Sequence, residues 1–274
     1  MQYVTLSTGA RMPKIGFGTW QISNEQVGDR IHTALKVGYR HIDTAAVYGN
    51  EAGIGQALQE AKIPREELFI TTKVWKDDYR AADLPGAVDR SLEKLQMDYV
   101  DLLLLHWPHE SVALEETMPA LNAVARAGKA KAIGVSNFPT KLLQKAIELS
   151  EVPIVTNQIE YHPFLNQNKV LNFARAHNIS ITAYSPLARG KVNDNPVLNE
   201  IGAKYNKSAS QVALRWLVEQ EGVIVIPKAS SEKNMRANFE IFDFALDDSD
   251  RAAIASLANN TRILNPEWGP EWDN

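Results

Sequence analysis

The chain has 274 residues, 45% of them hydrophobic and 23% charged, which is ordinary for a globular domain and long enough for a large core. A formal net charge of −4 gives no basic field for nucleic acid or an anionic membrane surface. The absence of cysteine excludes disulfides, thiolate metal sites and a cysteine nucleophile.

The opening MQYVTLSTGARMP lacks a basic region followed by an apolar core, so no signal peptide is read there and a cytoplasmic location is expected. TGARMP suits a small hairpin or plug. Eight short apolar or β-branched runs follow: KIGFG (14–18), RHID (40–43), LFITTK (68–73), VDLLLLH (100–106), KAIGVSN (131–137), IVTNQ (154–158), SITAYS (180–185) and VIVIPK (223–228). They recur at intervals of roughly 20 to 45 residues, the size of a βα unit, and are continuous rather than alternating, as strands covered on both faces should be. None is long enough to span a bilayer.

Amphipathic stripes fill the intervals. Val27, Ile31, Ala34 and Leu35 form one, stopped by Gly38; Leu84, Val88, Leu92 and Leu95 form another; Met118, Leu121, Val124 and Ala125 a third, ending at Gly128. Leu143 with Ile147, and Val170 with Phe173 and Ala174, continue the series. Ser208 and Gln211 have capping-box spacing ahead of Val212 and Trp216, with Gly222 as the stop. Alternation of this kind without a linker predicts one domain over 1–274, an α/β fold of the (β/α)8 TIM-barrel type. The segment RILNPEWGPEWDN, rich in Pro and Trp, is expected as a C-terminal tail over the barrel mouth. Trp268 and Trp272 leave two readings open, capping a substrate pocket or packing on barrel helices.

Seven runs end in a polar residue: Asp43, Lys73, His106, Asn137, Gln158, Ser185 and Lys228. In a parallel barrel these ends meet on one face, where barrel active sites lie. An acid, a lysine and a histidine closing three successive runs are expected to neutralise one another, because an unpaired buried charge costs several kcal/mol. Tyr48 follows Asp43 by five residues. A lysine ammonium ~4 Å from a phenol favours the phenolate by about 4 kcal/mol at intermediate dielectric, on the order of three pKa units. Asp43, Tyr48, Lys73 and His106 therefore read as a proton-donating set: Asp43 orients Lys73, Lys73 acidifies Tyr48, and His106 holds an incoming oxygen. That suits carbonyl reduction, and since none of the four supplies a hydride, a nicotinamide cofactor is required. The glycines of GFGTWQ and GIGQAL lack a dinucleotide fingerprint, so no Rossmann crevice is expected. HWPH (106–109) offers a histidine pair, with only His41 and His162 as further candidates, so no metal site is assigned. A Schiff-base role for Lys73 and a non-enzymatic NADPH-holding protein are the rival readings.

The ordered set GFGTW (16–20), IDTAAVYGNE (42–51), TTKVW (71–75), LLHWP (104–108), GVSNF (134–138), NQIEYHP (157–163), AYSPLARG (183–190) and VIPK (225–228) resembles the aldo-keto reductases along the whole chain, and in detail the bacterial 2,5-diketo-D-gluconate reductases, with a tail similar to the B type. The resemblance implies reduction of small aldehydes, ketones or keto-sugars, with Tyr48 as proton donor in a tetrad with Asp43, Lys73 and His106. It implies NADPH, with NADH as a weaker alternative, held by Thr19, Asp43, Ser136, Asn137, Gln158, Tyr184, Ser185, Pro186, Leu187, Lys228, Ser230 and Asn238. Trp20, Val47, Tyr48, Trp75, His106 and Trp107 would wall the substrate pocket, and the protein would be a monomer. One departure stands out: the family often places arginine where Asn234 stands, with Lys233 and Arg236 nearby. Glu51 reads as a helix-start carboxylate; in the family it sits behind the tetrad. Arg189 and Lys191 leave open whether they meet an acidic substrate or the cofactor.

Overall fold

A computed structural model describes residues 1–273; Asn274, the last residue of the expected tail, lies outside the described residues. The chain opens with an antiparallel hairpin, β1 (Tyr3–Thr5) and β2 (Arg11–Pro13). Eight parallel strands follow in the eight expected places: β3 (Phe17–Gly18), β4 (His41–Asp43), β5 (Phe69–Val74), β6 (Val100–Leu105), β7 (Ala130–Ser136), β8 (Ile154–Glu160), β9 (Ser180–Tyr184) and β10 (Val223–Val225). They pair in chain order into one curled sheet. β3 and β10 are shorter than the apolar runs that announce them.

The residues just ahead of β3 also meet β10. Val225 N–H donates to the Lys14 carbonyl at 2.9 Å, and Gly16 N–H to Val225 at 2.8 Å. The approach is close enough that a Cβ on Gly18 would lie 2.7 Å from the Ile226 carbonyl oxygen, so only glycine fits there. Leu6 and Met12 of the hairpin region pack with Phe69, Leu102, Leu104, Ala132, Val155 and Ile224 in a buried cluster separate from the main core. The hairpin thus fills space that would otherwise leave inward-facing strand residues uncovered, each such buried side chain contributing about 1.5–3 kcal/mol.

The helices are α1 (Asn24–Val37), α2 (Glu51–Ala61), α3 (Leu84–Leu95), α4 (Leu114–Arg126), α5 (Thr140–Leu149), α6 (Asn168–Ala176), α7 (Pro196–Tyr205), α8 (Ala209–Glu219), α9 (Glu232–Phe239) and α10 (Asp248–Ala255). In α1 the buried stripe is the expected Val27, Ile31, Ala34 and Leu35, and Gly38 at φ 122° closes the helix with its N–H on Ala34 and Leu35. The Ser208–Gln211 capping box is present in both directions. α8 stops at Glu219, short of Gly222, which turns the chain at φ 71°. Among the described residues no helix is long and apolar enough to cross a membrane.

Candidate active site

The polar run ends gather on one side of the sheet because every strand points the same way. Asp43 is the last residue of β4, Lys73 lies one short of the end of β5, and His106 and Asn137 follow β6 and β7 directly. Ser185 follows β9, and Lys228 lies in the loop after β10. Gln158 points the same way from within β8, which runs on to Glu160.

Lys73 is fully buried and donates to Asp43 Oδ1 at 2.6 Å and to the Thr44 carbonyl at 2.7 Å. Asp43 Oδ2 accepts from Gln158 Nε2 at 2.7 Å, and its carbonyl accepts from Thr19 Oγ1 at 3.0 Å. Tyr48 closes a single 3-10 turn (Ala46–Tyr48), with its ring centre 5.2 Å from the Lys73 ammonium and 5.6 Å from the His106 ring. Burial and then the Lys73 charge hold the His106 imidazole well below its usual pKa, so the ring is neutral. Among the described residues His106 Nδ1 is buried without a partner while the ring lines the cavity, which leaves Nε2 to face it.

The phenol differs from expectation. Burial and then the Asp43 carboxylate push Tyr48 well above its ordinary pKa. Lys73 is engaged by Asp43 and Thr44, and burial with the Asp43 charge sets the direction for the phenol. Tyr48 therefore stays protonated across the neutral range, as a donor must, but it is a weaker acid than a free phenol.

These groups lie beside a cavity of about 1000 Å³. Its lining includes Trp20, Val47, Tyr48, Trp75, His106 and Trp107, and also Thr19, Asp43, Ser136, Asn137, Gln158, Tyr184, Ser185, Pro186, Leu187 and Lys228. Tyr184 is held by its own hydroxyl, which donates to Asn137 Oδ1 at 2.8 Å. Asn137 in turn donates to the His106 carbonyl at 3.0 Å and to Ser136 Oγ at 3.1 Å. Asn137 and Ser185 take left-handed backbone at φ 63° and 47°, a conformation uncommon for serine.

Residues 14–259 match the Aldo/keto reductase family. The chain belongs to that family. A methylglyoxal reductase of Escherichia coli is 42% identical over 266 residues, covering 96% of this chain and 99% of the relative. A glyoxal reductase of Bacillus subtilis is 41% identical over 266 residues, with 96% of each chain covered. A crystal structure carrying the provisional name 2,5-diketo-D-gluconic acid reductase B superposes with a TM-score of 0.98 at 50% identity, over all of this chain and 98% of the other.

Not every expected residue of this aldo-keto reductase reaches the cavity. Lys73 stands behind Asp43, fully enclosed. Ser230 and Asn238 lie outside the cavity lining; Ser230 is exposed ahead of α9 and Asn238 is buried in that helix's last turn. Asn234 is exposed, its N–H donating to the α9 cap Ser231, and Arg236 is paired with Glu232 at 2.8 Å. Lys191 is exposed, whereas Arg189 lines the cavity with its guanidinium 4.9 Å over the Trp20 ring. Glu51 does start α2, and it accepts from Thr72 Oγ1 at 2.6 Å. His109 caps its own loop, Nδ1 accepting from Ser111 and Val112 N–H.

Sequence reasoning passed over Asn50 and Glu160 of the reductase, whereas the segment from Arg262 onward was expected over the mouth, with Trp268 as one reading for a pocket cap. Asn50 is buried and joins the loop after β3 to the loop after β4, donating to the Thr19 and Ile22 carbonyls and accepting from Thr44 Oγ1. Ile263, Leu264, Asn265 and Pro266 line the cavity together with Trp268. Trp268 meets Trp75 and Trp107 with ring centres 6.0 and 5.1 Å away, and Trp272 also meets Trp107 at 6.0 Å. Glu160, finally, binds that segment. An apolar run extended by one more alternate position would have reached it.

Proposed function

We propose that this chain is an NADPH-dependent reductase of small aldehydes, ketones or keto-sugars in which Tyr48 gives the proton. The observation that carries the reading is the convergence of Asp43, Tyr48, Lys73 and His106 beside one cavity that continues past Tyr184 to Lys228. The names of the relatives, methylglyoxal reductase and glyoxal reductase, favour compact dicarbonyls as substrates. We also read the sheet as a closed (β/α)8 barrel with the C-terminal tail over its mouth, supported by the Lys14–Val225 and Gly16–Val225 bonds and by the Trp107–Trp268 contact.

The residues present fit a nicotinamide dinucleotide. Ser136, Asn137 and Gln158 offer amide and hydroxyl groups at one end, Tyr184 a pinned aromatic face, Ser185, Pro186 and Leu187 a turn for the diphosphate, and Lys228 a cation at the other end. Thr19 and Asp43 border the nicotinamide end, and Ser230 and Asn238 extend the site toward the adenosine. The bound cofactor supplies the hydride. His106, neutral, donates a hydrogen bond to the carbonyl oxygen. Tyr48 then delivers its proton as that oxygen gains charge, and Lys73 and Asp43 keep the surroundings polar and fixed. The fully enclosed Lys73, bonded to Asp43 and Thr44, supports its role as a scaffold cation over that of a Schiff-base nucleophile.

A steady-state panel of methylglyoxal, a keto-sugar and an aromatic aldehyde, each with NADPH and NADH, tests the proposal. Oxidation of NADPH is expected with at least one carbonyl class. Tight cofactor binding without turnover of any of them would sink it.

A further inference from the structure

Glu160 is a buried carboxylate with no part in the chemistry above. It ends β8, has no exposed surface and does not line the cavity. Its Oε1 accepts from Ile263 N–H at 2.6 Å and from His162 Nε2 at 2.9 Å, and its Oε2 accepts from Leu264 N–H at 2.7 Å. Two consecutive backbone donors of the C-terminal segment thus rest on one carboxylate. The neighbouring loop adds to the grip, since the Phe164 carbonyl accepts from Asn259 and Thr261 N–H at 3.2 and 3.1 Å. The far end of the segment is tied separately, Asp273 accepting from Thr140 N–H at 2.7 Å and from its hydroxyl at 2.6 Å. Between these two ties Ile263, Leu264, Pro266 and Trp268 form a wall of the cavity.

We propose that Glu160 is a positioning residue for substrate selection: it pins the Ile263–Leu264 backbone, and so fixes the wall that excludes bulky carbonyl compounds. The proposal rests on the reductase reading above. The wall has no regular secondary structure of its own, so its placement depends on these tethers. A carboxylate holding two N–H groups gives charge-assisted bonds, stronger than the neutral bonds an amide would make.

The test uses the full chain with NADPH present and reads two quantities. The first is tryptic cleavage at Arg262–Ile263, the peptide bond whose N–H Glu160 holds. The second is the ratio of kcat/KM for a small dicarbonyl to that for a bulky aromatic aldehyde. Glu160→Gln is expected to speed cleavage by about tenfold or more, as loss of bonds to a charged group raises local opening. The substrate ratio is expected to fall by about threefold or more, through the KM of the bulky aldehyde, with kcat for the dicarbonyl nearly unchanged. Should Glu160→Gln not fold, Leu264→Pro removes one of the two N–H donors and leaves both Glu160 and the cleavage site in place. Leu264→Val, which keeps that donor, is its control and should be cut at the wild-type rate. Equal cleavage in Leu264→Pro and Leu264→Val overturns the pin, as does wild-type cleavage of Glu160→Gln. Faster cleavage with an unchanged substrate ratio overturns the selection role. Failure of the reductase reading looks different: the wild-type chain reduces no carbonyl, while its bond at Arg262 remains protected.

Discussion

Lys73 and Asp43 form an ion pair at 2.6 Å in which the lysine has no exposure and the aspartate 3%. Such a pair stabilises little by itself, but breaking it strands a charge. Asp43→Asn should therefore lower unfolding free energy by roughly 3–5 kcal/mol in urea titrations. The double variant Asp43→Asn/Lys73→Met should recover most of that loss while staying inactive. If the double variant is as unstable as the single one, the loss comes from packing rather than from stranded charge.

Tyr48→Phe should reduce kcat/KM by about 10³-fold, within the range for loss of a general acid, and leave NADPH affinity within about twofold of wild type. Since burial raises the phenol, the acid form that donates persists to higher pH than in free tyrosine. The rate should accordingly show no fall between neutrality and the ordinary phenol pKa of about 10. A fall near pH 8 in kcat would point to an acidified tyrosine or to another donor.

His41 gives the fold a pH dependence separate from catalysis. Its ring is fully buried against Phe69 and Thr71, and burial, the dominant cause, pushes its pKa down to about 4. The unfolded chain binds a proton near pH 6.5 and the folded chain does not until about 4, so stability falls as pH drops through that window. The total loss from this one group is roughly 3 kcal/mol. His41→Gln should flatten the dependence of Tm on pH between 6.5 and 4, as read by calorimetry; an unchanged slope would assign the acid sensitivity elsewhere.

Asn234→Arg should sharpen the choice of NADPH over NADH, by about tenfold in the ratio of Kd values. Arg236 is engaged by Glu232, so a new guanidinium at 234 would add a free cation at the exposed start of α9. Isothermal titration with both cofactors measures it; an unchanged ratio would mean that Lys228 or Lys233 already meets the phosphate.

The strands were legible because each is a continuous apolar run, and the first helices because their stripes have helical period, as at Val27, Ile31, Ala34 and Leu35. Asp43 and Lys73 were legible because a charged side chain at the end of a buried strand is costly unless a partner or a site employs it. What could not be read was contact at long range. Nothing near Glu160 in sequence says that its partners are backbone groups of Ile263 and Leu264, because an N–H looks the same whatever residue carries it. The Tyr48 shift runs opposite to the sequence expectation for a related reason: spacing brings Lys73 near the ring but does not reveal how deeply the phenol is buried or that the Asp43 charge acts on it.

The meeting of Lys14 and Gly16 with Val225, reinforced by the Lys14 ammonium on the Val218 carbonyl 204 residues away, also matters during synthesis. A nascent chain leaving the ribosome exposes its earliest strand long before that strand's outer partner has been translated. Through most of translation one flank of the growing sheet stays unsatisfied, a sticky template for neighbouring polypeptides. Emergence of β10, rather than of the first half of the chain, is therefore the moment at which that hazard ends.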